Sequence, residues 1–168
     1  NMTKKKLYSE FIRFGLNLWP CLRRTGGRVV YLAEDLTHLT FRLSLNWKTR
    51  NVVGTIFGGS MYASTDPYFM LMLMKILGDQ YVVWDKGCSI RFKRPAKKTI
   101  TADFIVTPDM LHSVRTQVAA NNEYDFTWTI QYKDKEGVVY AEFDKIIYVA
   151  SKSFYKEKLK RRSEKQKN

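Results

Sequence analysis

The chain has 168 residues, of which 45% are hydrophobic and 27% are charged. These proportions are ordinary for one globular domain and exclude wholesale disorder. The longest nearly apolar run, Pro67 to Met74, is far shorter than the roughly 20 residues of a membrane-spanning helix. The formal net charge of +13 raises the question of nucleic acid or an anionic lipid surface as a partner.

The positive charge is concentrated at the two ends of the chain. Residues 1–28 carry seven basic and one acidic residue, and residues 152–168 carry eight basic and two acidic, whereas residues 29–151 have a net charge of only +1. A single-strand nucleic-acid reader interleaves basic and aromatic residues, but the C-terminal segment has aromatic residues only at Phe154 and Tyr155. Nucleic acid and membrane are therefore disfavoured as partners, and we expect a solvated basic tail.

The cysteines and histidines argue against a disulfide scaffold and a metal centre. Cys21 and Cys88 lie far apart and have no metal-ligand spacing, which favours a reducing, cytoplasmic compartment. The basic N-terminal segment is interrupted by Glu10 and has no small-residue cleavage site, so no signal peptide is expected. His38 and His112 fall on the polar faces of predicted strands, and we interpret both as surface residues.

The first predicted element is a helix near the N-terminus. Leu7, Phe11, Phe14 and Leu18 recur at helical spacing, and Pro20 follows them and ends the helix. An apolar stripe of this kind usually packs against its own domain, although the basic flanks also fit a helix on a membrane surface.

The remainder of the chain predicts strands around one buried helix. Two strands at 29–33 and 38–47 form a hairpin, and residues 51–74 contain a single charged side chain, Asp66, as expected of a buried helix that Pro67 kinks or starts. Beyond Gly78 the hydrophobic period returns to two, and further strands are predicted at 88–93, 99–106, 111–119, 126–132 and 138–149.

These elements predict an α+β fold, in which a curved antiparallel sheet wraps around one long central helix and an extra N-terminal helix precedes it. The open edges of such a sheet favour self-association. The division is an N-terminal helix and lead-in at 1–25, the main domain at 26–151 and the basic tail at 152–168.

Asp66 is the most informative candidate for chemistry. A carboxylate on a buried helix fits a general base or nucleophile, but Asp before Pro67 equally fits a cap for a helix that begins there. Gly58 and Gly59 precede it, and glycines at a helix start leave backbone N–H groups free to stabilise an oxyanion. Asn51, in the same loop, can donate to a carbonyl or position a water, so the arrangement suits acyl transfer.

The run from Asn51 through Gly58 and Gly59 to Asp66 resembles the signature of hotdog-fold thioesterases, in particular the phenylacetyl-CoA-thioesterase-like branch. Four further phrases resemble one subfamily, known as tetrameric acyl-CoA thioesterase or as a domain of unknown function. They are Asn17-Leu-Trp-Pro20, Asp66-Pro-Tyr-Phe69, Val83-Trp-Asp-Lys86 and Arg91-Phe-Lys-Arg-Pro95.

The resemblance implies a hotdog fold, a homodimer or dimer of dimers, and active sites at the subunit interface. It implies hydrolysis of an acyl-CoA or acyl-carrier thioester with no cofactor, since coenzyme A is part of the substrate, and with no metal. In this scheme Asp66 activates water or attacks the thioester, Gly58 and Gly59 bind the carbonyl oxygen, and Asn51 positions substrate or water.

The expected substrate pocket includes Phe57, Ala63 and Met70, although the methionines of this helix equally fit a plain core. Phe57 stands where the family has a histidine, which removes one hydrogen-bond donor and keeps open a second hypothesis, a non-catalytic acyl-CoA or fatty-acid-binding protein. The cluster of Arg91, Lys93 and Arg94 fits either the phosphates of coenzyme A or a solvated strand end.

Overall fold

A computed structural model describes residues 3–166, so the outermost two residues of each predicted terminal segment lie outside the described part. The elements in chain order are α1 Lys4–Leu18, α2 Pro20–Arg23, β1 Arg28–Leu32, β2 His38–Leu43, α3 Gly58–Ala63, α4 Tyr68–Leu77, β3 Tyr81–Phe92, β4 Ile100–Ile105, α5 Pro108–Asn121, β5 Glu123–Lys133, β6 Val139–Ser151 and α6 Lys152–Lys165. No helix in residues 3–166 is both long and apolar enough to cross a bilayer.

The six strands form one antiparallel sheet in the order β1-β2-β4-β5-β6-β3. The sheet curves around α3 and α4, and its inner face carries the core. Tyr68 and Phe69 of α4 each make an edge-to-face contact with Phe104 of β4, with ring centroids 5.1 and 5.2 Å apart. Contacts of this type add to the hydrophobic stabilisation of the buried rings, so they hold the central helix in place.

The central helix has a break at Ser64–Pro67, between α3 and α4. The prediction that Pro67 kinks or starts the helix is confirmed. The break is well held, because Ser64 and Thr65 are fully buried and their hydroxyls donate to Ser60 O at 2.7 Å and Tyr62 O at 2.8 Å. Asp66 therefore lies on a fixed turn and not within a continuous helix.

Helix α1 packs against the domain as predicted, but through the face opposite to the apolar stripe. Ile12 and Leu16 pack against the core, and the Asn17 side chain accepts from Val29 N at 2.8 Å and donates to Val29 O at 2.9 Å. The stripe of Leu7, Phe11, Phe14 and Leu18 is between 53% and 73% exposed. Helix α1 thus has two apolar faces, of which only one is covered by this chain.

Two predicted strands are corrected. Residues 111–119 belong to α5, because Thr107 caps the helix by accepting from Met110 N, Pro108 occupies its first turn, and Asn122 ends it with φ 65°. His112 is therefore on a helix. The strand predicted at 38–47 ends at Leu43, since the Thr49 hydroxyl donates back to Ser44 O at 2.7 Å and closes a turn.

Candidate functional site

The loop before α3 carries Asn51, and the Asn51 side chain holds that loop together. Its Nδ2 donates to Thr55 Oγ1 at 2.8 Å, and its Oδ1 accepts from Val53 N at 3.2 Å and Thr55 N at 3.0 Å. The loop is joined to the domain where Phe57 N donates to Thr49 O at 2.7 Å. These bonds fix the position of Gly58, the first residue of α3.

Gly58 and Gly59 lie where a side chain would not fit. A Cβ on Gly58 would be 2.9 Å from the Phe92 ring, and a Cβ on Gly59 would be 2.2 Å from the Phe57 ring. Among residues 3–166, no hydrogen-bond acceptor faces the N–H of either glycine. The first turn of α3 thus presents two free donors, with aromatic rings packed close beside them.

Asp66 is a near neighbour of the buried Asp85–Lys145 ion pair, which joins β3 and β6. Asp66 is exposed, whereas the side chains of Asp85 and Lys145 are only 13% and 3% exposed, with Lys145 Nζ 2.7 Å from Asp85 Oδ2. Within the described chain, Asp85 Oδ1 is buried and has no hydrogen-bond partner. Two carboxylates and one ammonium group therefore meet where the central helix is broken.

The surroundings of Asp85 change its acidity. The pKa of Asp85 is raised to about 6, mainly by burial; the nearby Asp66 carboxyl also raises it, whereas the pairing with Lys145 lowers it. A buried carboxyl beside a second carboxylate resists ionisation, because both effects disfavour its charged form. Asp85 can thus keep its proton up to about pH 6, and perturbed acids of this kind are common in acid–base sites.

Several of the predicted site residues line one or the other of two separate cavities. A loop cavity of about 350 Å³ is lined by Asn51, Gly58 and Phe92–Ala96, among others. A helix cavity of about 630 Å³ lies between α1–α2 and α3–α4, and its lining includes Asp66 and Ala63. The cavities share no lining residue, so the free N–H of Gly58 and the Asp66 carboxyl face different cavities of one protomer.

The remaining predicted residues lie in different surroundings. Phe57 is 56% exposed with its ring against Gly59, and Met70 is half-buried and packs against the core. Arg91 donates to Glu142 at 2.7 and 3.1 Å and to Asp144 at 2.7 Å.

Lys93 and Arg94 both line the loop cavity. Lys93 lies 3.2 Å from Glu142, while Arg94 Nη1 donates to Val139 O at 2.7 Å. No group of three metal-ligating side chains occurs within residues 3–166.

Sequence reasoning missed Asp85 and Lys145. The alternation of β6 carried a signal, because Lys145 occupies an inner position between Phe143 and Ile147, which are both fully buried. A lysine in a row of core positions indicates a buried partner, since an unpaired buried charge is very unfavourable. Asp85 is the matching acid on β3, where a bulge interrupts the register between Asp85 and Gly87.

The arrangement of a curved antiparallel sheet around a central helix is the hotdog fold, and solved thioesterases share it. A Pseudomonas aeruginosa protein of unknown function, described as a probable thioesterase, is 19% identical over 84% of this chain and 95% of that chain, with a TM-score of 0.73. A thioesterase from Haemophilus influenzae is 13% identical over 90% and 92%, with a TM-score of 0.58.

The family itself follows from the sequence match. Residues 8–149 match the family described as domain of unknown function DUF4442, and the chain belongs to this family. No curated protein matches it. The predicted hotdog fold and the predicted resemblance to a family of unknown function are confirmed.

Proposed function

We propose that the protein hydrolyses acyl-CoA thioesters to a carboxylic acid and coenzyme A, with Asp66 as the general base or nucleophile. The observation that carries this proposal is the position of Asp66 at the mouth of an apolar cavity, near the buried Asp85–Lys145 pair. Clustered ionisable groups with a perturbed pKa in a cleft are typical of catalytic sites. The solved thioesterases with the same fold add support.

In the proposed reaction, Asp66 takes a proton from water while the water oxygen attacks the thioester carbonyl carbon. The carbonyl oxygen becomes an oxyanion, which the free N–H groups of Gly58 and Gly59 stabilise. Collapse of this intermediate breaks the C–S bond and releases the thiolate of coenzyme A, which is then protonated. In the nucleophilic variant, an Asp66 oxygen attacks the thioester carbonyl carbon, the C–S bond breaks and the coenzyme A thiolate leaves, and water then hydrolyses the resulting anhydride.

The two halves of the proposed site come from two copies of the chain. Within one protomer Gly58 and Asp66 face separate cavities, so a single protomer does not present both to one thioester. In a symmetric dimer, the loop cavity of one copy would complete the Asp66 side of the other. Lys93 and Arg94 at the loop cavity would then bind the phosphates of coenzyme A.

The direct test is the substitution Asp66→Asn, which keeps the shape of the side chain and removes its basicity. We expect thiol release from acyl-CoA to fall by about 10²-fold or more, which is the usual contribution of a general base. The matched control is Asp79→Asn, because Asp79 is an exposed acid just beyond α4 and its loss should leave turnover unchanged. Full activity in Asp66→Asn would contradict the mechanism.

A second candidate function is acyl-CoA binding without turnover. Phe57 favours it, because the side chain next to the free N–H groups offers no hydrogen bond of its own to a thioester carbonyl. Saturable binding of acyl-CoA by the wild-type protein, with no thiol release across short, long and aromatic acyl chains, would establish the binding protein in place of the hydrolase.

A further inference from the structure

The helix cavity is an apolar site of ligand size. Its volume of about 630 Å³ falls within the range of small-molecule sites, roughly 300–1,000 Å³. A smaller cavity of about 140 Å³ lies next to it and shares Leu16 and Leu71 with it. The apolar space therefore extends from Asp66 along the groove between α1 and α4.

The lining of the helix cavity is mainly apolar. Its apolar lining includes Leu16, Trp19, Leu22 and Leu71. The Thr25 hydroxyl, which also borders it, already donates to Leu22 O at 2.7 Å. Asp66 is the only acidic or basic residue of this lining. A matching ligand is apolar along its length and has its reacting end at Asp66.

We propose that the helix cavity binds the acyl chain of the thioester, which makes long apolar acyl groups the preferred substrate class. This inference rests on the proposed function, because it places the thioester carbon beside Asp66. The wall formed by α1 and α2 belongs to the same protomer as Asp66, since Leu16 and Leu22 line the cavity in the single chain. Helices α1 and α2 therefore determine which lengths of acyl chain fit.

The test narrows the cavity with Leu71→Trp and compares palmitoyl-CoA with butyryl-CoA. Leu71 borders both cavities, so a larger side chain there should exclude a long chain and spare a short one. We expect the ratio of kcat/KM for palmitoyl-CoA over butyryl-CoA to fall by about tenfold or more. The matched control is Leu7→Trp on the exposed face of α1, which should leave the ratio unchanged.

A binding measurement separates this inference from the proposed function. The probe is the thioether analogue of palmitoyl-CoA, which cannot be hydrolysed, titrated into wild type, Leu71→Trp and Leu7→Trp by calorimetry. Weaker binding to Leu71→Trp alone supports the cavity even if the wild type proves to have no thioesterase activity. Hydrolysis by all three proteins with the same chain-length ratio, or equal binding of the thioether, would overturn the cavity assignment while leaving the hydrolase intact.

A second substitution covers the case in which Leu71→Trp does not fold. Leu16→Phe enlarges a side chain on the opposite wall, which belongs to α1, so it narrows the same space without altering the central helix. Circular dichroism identifies which variant is folded. The ratio of kcat/KM for palmitoyl-CoA over butyryl-CoA in that variant then tests the cavity assignment. An unchanged ratio in a folded Leu16→Phe protein counts against the cavity in the same way.

Discussion

Lys145 shows how one buried side chain depends on the charges around it. It occupies an inner position of β6 and is 3% exposed, with the Asp85 carboxylate 2.7 Å away. Removing one partner of a buried ion pair typically costs ~3–5 kcal/mol, because the other charge is left without compensation. Asp66 adds a second acid beside the pair, so Lys145 balances a site with more than one carboxylate.

The raised pKa of Asp85 makes the stability of the protein depend on pH. The pKa is about 6 in the folded protein against an ordinary 3.8. Between about pH 4 and about pH 6 the folded state therefore keeps a proton that the unfolded chain has released, so this residue's contribution to stability falls as pH rises through that window. We expect this loss of stability, on the order of 3 kcal/mol, to be absent in Asp85→Asn.

Urea unfolding of wild type and Asp85→Asn at several pH values between about 4 and 7 measures this difference. Asp66, Lys145 and Cys88 are the titratable groups that act on Asp85 or respond to it. The Cys88 thiol has a pKa raised above its ordinary value of 9.0 and does not titrate in the window. Asp125→Asn, an exposed acid on β5, is the control. Parallel stability curves for wild type and Asp85→Asn would contradict the raised pKa.

At the residue scale, the sequence predicts the part of the candidate site that lies in one local segment. Asn51, Gly58 and Asp66 are close along the chain, so their spacing is visible without a structure. Asp85 and Lys145 come together only through the pairing of β3 with β6. A periodicity argument treats each strand separately, and it therefore missed the contact.

At the element scale, the sequence predicts the order of most elements but not the face by which each one packs. The alternation of apolar and polar residues along most strands and the break at Pro67 follow from local chemistry, and the structure confirms both. Helix α5 was missed because its apolar residues also fit a strand, whereas Val114 and Val118, which are both buried, have helical spacing. The packed face of α1 could not be predicted, since both of its faces are apolar.

Helix α6 is joined to the domain by few contacts. None of its residues is buried, and Lys158 bridges to Glu123 on β5 while lying 5.1 Å above the Tyr148 ring. An ion pair at the surface contributes about 0–1 kcal/mol, and this one is only partly exposed. Ending the chain after Lys152 should therefore lower the melting temperature only slightly and leave the fold intact.

Thermal melts at low and high salt measure the contribution of α6. The difference in melting temperature between the full and the shortened chain should be smaller at high salt, because salt screens the Lys158–Glu123 pair. Lys158→Ala in the full chain is the control that removes the ion pair and the contact with the Tyr148 ring while keeping the rest of α6. Loss of the folded state on shortening would instead show that α6 is required for the domain.

At the scale of the whole molecule, strand β3 is the feature that favours a second copy. Among residues 3–166, Tyr81–Phe92 pairs with β6 on one side only, and Trp84 and Phe92 are 52% and 56% exposed. A long free edge with exposed aromatic residues is well suited to pairing with another strand. We expect two copies to join there, which would bring each loop cavity towards the Asp66 of the other copy.

Mixing two inactive variants tests the shared site. One is Asp66→Asn, and the other is Phe57→Ala with Gly59→Pro, which removes the Gly59 N–H and the ring that would meet the new side chain. Proline is tolerated in the first turn of a helix. If the N–H and the carboxylate come from different copies of a symmetric dimer, co-refolded protein should regain about one quarter of wild-type thiol release.

The control for this mixture is Phe57→Ala with Gly59→Ala, which keeps the N–H and should stay active on its own. Recovery in the mixture requires that each variant supply the group that the other lacks. A mixture as inactive as its components, with mixed dimers demonstrated by mass spectrometry, would place both groups in one protomer and contradict the shared site.

The buried Asp85–Lys145 pair also has a consequence for protein engineering. Replacing a buried ion pair by well-packed apolar side chains of similar volume is often neutral or stabilising. A library of this protein selected only for heat resistance would therefore drift towards hydrophobic residues at positions 85 and 145. Such variants would fold well and lose the charges near Asp66, so screens for robustness need an activity readout at every round.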